Sequence, residues 1–169
     1  PLTGIKELTM SHYLQGEFDF IERTKLILEQ YDKTDFSEVP EEKYEITLCM
    51  NCLLGLLVVP QQVWNDDLPK GDLDENWFIE KGHILFDIET GEKRYKIKNI
   101  VRHIRNSVAH GRVTPISEED GTNITHLRFE DFDKKQLTFK AEMPVETLKK
   151  FALKFADTML TKMREAKGN

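Results

Sequence analysis

Apolar side chains recur at helical spacing through four long stretches of this 169-residue chain, and only once does the period change to two. Between Ser11 and Tyr31 the residues Leu14, Phe18, Ile21, Leu28 and Tyr31 keep the helical step, with Ser11 placed to cap the first turn. A second stretch runs from about Glu42, after Pro40, through Tyr44, Ile46, Leu48, Leu53, Leu56 and Leu57 to Val59, where Pro60 interrupts it. Being apolar nearly all round, it is expected to form the central core helix. The third covers roughly Lys93 to His110, with Ile97, Ile100, Val101, Ile104 and Val108 as its stripe. Leu127 and Phe129, then Leu137, Phe139, Ala141 and Met143, alternate instead, with "DFDKKQ" between them as a turn, which predicts a β-hairpin. Pro144 suits the first turn of a closing helix whose buried seam is Val145, Leu148, Ala152, Phe155, Met159 and Met163. The expected fold class is mainly α: a bundle of four long helices with a β-hairpin between the third and last helices, in one domain over residues 1–169.

Residues 65–92 fit none of these periods. "NDDLPKGDLDEN" is acid-rich and holds a Gly and a Pro, so it reads as a solvated loop. Short apolar patches follow at Trp77 to Ile79 and Ile84 to Ile88, and "ETGEK" reads as a turn, but no element is assigned there.

Several function classes are disfavoured at once. The longest apolar stretch, Leu53 to Val59, is far shorter than the roughly 20 residues that a membrane helix needs. The first residues lack a basic region followed by an apolar core, so no secretory leader and a cytoplasmic location are expected. Cys49 and Cys52 form a single C-x-x-C in the most apolar part of the chain, with no second Cys or Cys/His pair, and read as buried thiols. His12, His83 and His126 lie apart, and the acidic loop lacks the ligand alternation of a calcium site, so no metal and no cofactor are expected.

Charge singles out the third helix. Residues 93–112 hold seven cations (Lys93, Arg94, Lys96, Lys98, Arg102, Arg105 and Arg112) and no acid, which leaves 17 of the chain's 24 cations to face all 30 acids elsewhere. A positive field confined to one helix attracts a polyanion, while the acidic remainder limits indiscriminate binding. At about 100° per residue with Arg105 at zero, the apolar stripe centres near −80°, and Ala109, Arg102, Asn106, His110 and His103 fall between about 40° and 160°. Ala109 keeps the middle of that polar face low. Gly111 is the expected glycine just past the helix end, so His110 sits where the dipole is negative, with an imidazole able to act as acid or base near neutral pH. An adjacent guanidinium can bind phosphate oxygens in bidentate fashion.

"RNSVAH", Arg105 to His110, resembles the R-x4-6-H motif of HEPN ribonucleases, with Asn106 as the polar residue that follows the Arg. "NCLLGLLVVPQQ", the hairpin after the motif and the long closing helix resemble plasmid- and phage-defence-associated HEPN nucleases over most of the chain. The resemblance implies a metal-independent endoribonuclease of toxin or anti-phage type. It would be a homodimer whose motif helices face each other, with RNA as substrate, no membrane role, and an antitoxin or defence-system partner. His110 would be the acid/base for attack of a ribose 2′-OH, Arg105 would hold the scissile phosphate, and Asn106 would orient that phosphate or His110. Lys98, Arg102, His103 and Arg112 would contact RNA. Members silenced by a nucleotidyltransferase carry a Tyr two residues after the His, where this chain has Arg112. The family also includes inactive modules that bind RNA or a partner protein, and a helical interaction protein using this helix only to dimerise is a third reading.

Overall fold

The computed structural model describes residues 16–35, 45–58, 68–117 and 124–167. Ser11, His12, Leu14, Tyr44, Val59 and Pro60 lie outside these residues. Helix α1 is Gly16–Lys33 and α2 is Glu45–Leu53, the latter running on into a wider π-type turn, Leu54–Val58. Gly55 in that turn lets α1 approach, because a Cβ there would stand 2.8 Å from the Phe20 ring. Three short 3₁₀ turns surround β1 (Ile84–Asp87), followed by α3 (Ile97–Ala109), β2 (Val113–Ser117), β3 (Ile124–Asp133), β4 (Gln136–Pro144) and α4 (Val145–Lys167).

The expected helices are present and their stripes are inside. Ile97, Ile100, Val101, Ile104 and Val108 of α3 are buried, as are Val145, Leu148, Ala152, Phe155, Met159 and Met163 of α4. Both cysteines are buried free thiols, and burial pushes the Cys52 thiol up to about 11. Helix α1 packs on α4 and α2, while α3 lies between the π-type turn and β3. Among the described residues no helix is long and apolar enough to cross a membrane.

The sheet departs from expectation. The hairpin is the inner half of a four-stranded antiparallel sheet of order β1-β4-β3-β2, in which β1 comes from the unassigned insert and β2 follows α3 directly. Both extra strands are short edges. An edge strand carries weak alternation, and β2 even contains Pro115, which is tolerated where one side lacks a partner. A register shift between Ile84 and Phe86 turns both Ile84 and Asp87 inward although they are three residues apart. Strand β3 runs on through Asp131 rather than turning there, and Pro144 closes β4 opposite His126 instead of opening a helix.

Within the predicted solvated loop, Leu68 and Leu73 are buried and the backbone docks on the start of α3. Leu73 N–H donates to Tyr95 O at 2.6 Å, Ile97 N–H donates to Gly71 O at 3.0 Å, and Asp72 bridges to Lys96. That docking holds residues 94–96 off the helix, so α3 begins at Ile97 rather than at Lys93.

Candidate nucleic-acid interface and its buried support

Helix α3 buries a wider arc than its aliphatic stripe, because the sheet covers one flank as well. His103 and Ser107 join the five aliphatic residues inside, and Ser107 Oγ–H donates to His103 O at 2.8 Å. His103 is therefore a correction to the expected RNA-contacting face. At 2% exposure its ring offers nothing to a polyanion.

The ring lies in a cradle made by strand pairing. Phe139 on β4 stands opposite Asp131 on β3 and opposite Asp87 on β1, so the three side chains form one row across the sheet. The imidazole stacks on Phe139 with centroids 4.7 Å apart and planes 1° from parallel. Its Nδ1 is 2.8 Å from Asp131 Oδ2, and its Nε2 is 3.1 Å from Arg102 Nη2 and 3.9 Å from Asp87 Oδ1. Arginine can only donate, which makes Nε2 the acceptor and places the proton on Nδ1, where it is donated to Asp131. A neutral ring suits this site, since burial pulls the His103 pKa below its ordinary value, with the Asp131 hydrogen bond acting in the opposite direction.

Both carboxylates are multiply held. Asp131 Oδ2 also accepts from Asn106 Nδ2 at 2.8 Å, while Oδ1 accepts from the Phe132 N–H at 2.9 Å and lies 3.8 Å from Arg112 Nη1. Asp87 accepts from Asn99 Nδ2 at 3.0 Å and from the Glu89 N–H at 2.9 Å, and burial raises its pKa above the usual carboxylate value. Asn99 Oδ1 in turn accepts from Arg102 Nη2 at 2.6 Å, and Glu89 is 3.6 Å from the same nitrogen. Two buried acids thus fix Asn106 and Asn99, while His103 and Asn99 hold Arg102 at the surface.

At its C-terminus α3 ends as the glycine predicts. Gly111 adopts φ +64°, its N–H donates to Val108 O at 3.1 Å, and Arg112 N–H donates to Ser107 O at 2.8 Å, the paired bonds of a Schellman motif. His110 is the capping residue and is exposed, as is Ala109, with Arg105 and Asn106 half-buried beside them. Arg112 is half-buried over the Phe132 ring at 5.1 Å. Arg105, Asn106, His110 and Arg112 therefore occupy the last turns of α3 and its cap, whereas Lys98 and Arg102 stand toward its other end. Among the described residues no side chain hydrogen-bonds to the His110 ring.

Asp87, Asp131 and Asn99 have no place in the sequence-derived site. Asp131 carried a usable signal, because it continues the parity of Leu127 and Phe129, and an acid at an inward strand position requires a buried donor. Asp87 carried none, since its direction depends on the register shift in β1.

The profile of a family described as HEPN pEK499 p136 matches residues 10–166. No curated protein and no solved structure matches the chain significantly. The family match spans all four helices, the sheet and the Arg105–His110 segment, so the chain belongs to the HEPN pEK499 p136 family.

Proposed function

We propose that this protein is a metal-independent endoribonuclease of toxin or anti-phage effector type, acting in the cytoplasm as a homodimer with one composite site at the two-fold interface. The observation that carries the reading is the placement of His110 and Arg105. Both lie on the last turns of the one strongly basic helix, with His110 exposed at the cap.

In this reading His110 takes the proton from a ribose 2′-OH as that oxygen attacks the neighbouring phosphorus. The P–O5′ bond breaks, the 5′ oxygen takes a proton from water as it leaves, and the products are a 2′,3′-cyclic phosphate and a 5′-OH end. Arg105 binds the phosphate oxygens and stabilises the charge that builds on them. Asn106, anchored on Asp131, is a positioning residue, and Arg102, Lys98 and Arg112 contact the RNA backbone. A second copy meets two needs. Arg105 and His110 lie about 140° apart around one helix, and an acid/base needs an orienting neighbour that the described residues of a single chain do not give His110.

Incubating RNA with the wild type in EDTA, beside His110→Ala and Arg105→Ala, tests the reading. Cleavage by the wild type to cyclic-phosphate ends is expected, with His110→Ala slower by about 10²–10⁴-fold, the usual contribution of a general acid/base. Equal cleavage by His110→Ala removes it from catalysis. Intact RNA that stays bound favours the non-catalytic module, in which the same helix binds RNA without cutting it.

A further inference from the structure

A second cationic feature lies at the opposite end of α3. A cavity of about 360 Å³ opens there, lined by Lys70, Lys93, Lys96, Lys98 and Arg102, with Glu89 as the one acid among the described residues of its wall. Docking of residues 68–73 against the start of α3 is what brings Lys70 to cations that are distant in sequence. Lys96 is paired with Asp72 at 2.8 Å, whereas Lys70, Lys93 and Lys98 form no ion pair with a described residue.

Arg102 is the fixed member of this wall. Its Nη2 donates to Asn99 Oδ1 and to the bare Nε2 of His103, which is itself buried against the sheet. A guanidinium held this way loses little freedom when an anion arrives. The cluster also defies the local rule for helices. The dipole at an N-terminus favours acids, yet the first turn of α3 has none and Lys96 provides no side-chain cap. Cations gathered where they repel both one another and the dipole leave a site that a phosphate would relieve.

The wall chemistry selects the ligand. Asn99 completes the lining, which among the described residues contains no aromatic ring to stack on a base, so recognition falls to the cationic head groups above their own alkyl stems. It fits a phosphate backbone better than a free nucleotide. Lys98, Arg102 and Arg105 fall within an arc of about 60° and span about 10 Å along the helix, a length that a short run of nucleotides can follow.

We propose that this cavity is a phosphate-binding subsite that grips a single RNA strand a short run of nucleotides away from the scissile bond. Its distance from that bond rests on the nuclease reading, while its affinity for RNA does not.

Binding of a labelled single-stranded RNA dodecamer, followed by fluorescence anisotropy over a salt series, tests it. The parent is His110→Ala, so that binding is read without cleavage. Lys70→Ala/Lys93→Ala in that parent should weaken binding and flatten the plot of log Kd against log salt by about 1.4, the value for two lost phosphate contacts on a single strand. Lys70→Arg/Lys93→Arg should keep the parental slope, and both residues are exposed, so matched thermal melts check that the fold persists. Identical affinity and slope in the parent and the alanine pair would overturn the proposal, as would a parent that binds no RNA. Labelled ATP bound by the parent and lost in the alanine pair, with RNA binding unchanged, would overturn it in favour of a free-nucleotide site. Cleavage by protein with His110 intact is scored separately. Cavity-dependent binding without cleavage sinks the nuclease reading and leaves the RNA subsite standing.

Discussion

His103 shows how one residue can serve the surface from inside. Its ring is clamped between Asp131 and Arg102 on the face of Phe139, so it reaches the surface only through the guanidinium that it holds. Burial places its folded pKa below the ordinary 6.5. The stability it contributes is therefore full above pH 6.5 and is lost as pH falls through the folded value. Asp87 runs the other way. Burial raises its pKa above 3.8, so its contribution is full below pH 3.8 and is lost as pH rises through the folded value. Urea unfolding from pH 7.5 to 5 isolates the histidine. His103→Gln should cost about 1–3 kcal/mol at pH 7.5, the scale for orphaning buried hydrogen-bond partners, and the gap from wild type should narrow toward pH 5. A gap independent of pH would show that the ring titrates alike folded and unfolded. The motif positions were legible in the sequence because they follow each other on one helix. The cradle was not, since Asp87, Phe139 and Asp131 meet only through the pairing of three strands.

At the scale of elements, α3 depends on its two ends. The C-terminal end was legible, because His110-Gly111 announces a left-handed stop and the structure supplies one at φ +64°. An alanine there keeps the positive φ only at a cost of about 1–2 kcal/mol. Gly111→Ala should lose that much in chemical unfolding, and RNA cleavage should fall with it because the cap carries His110. Full stability in the variant would mean that the cap does not constrain the helix end. The N-terminal end was misread as continuous helix from Lys93, because helical spacing is blind to a loop that returns to bond with Tyr95 and Ile97. The strands divide in the same way. Inner strands β3 and β4 alternate strongly and were visible, whereas the edges β1 and β2 expose much of their length and carry little pattern.

For the whole molecule, charge is separated: a chain of net charge −6 keeps one face positive, as the proposed RNA binding requires. Residues 93–112 carry seven cations and no acid, and the buried acids Asp87 and Asp131 shape that surface from beneath. The mainly helical architecture was readable from hydrophobic period, and the family match over residues 10–166 agrees with the resemblance of the Arg105–His110 motif. In the proposed dimer one copy provides Arg105 and the other His110. Mixing the Arg105→Ala and His110→Ala proteins under conditions that let subunits exchange tests this most directly, with cleavage scored by cyclic-phosphate ends. Each variant alone should be inactive and the mixture should recover cleavage, because one of the two sites in a mixed dimer is intact. A mixture as inactive as its components, with exchange demonstrated, would contradict it.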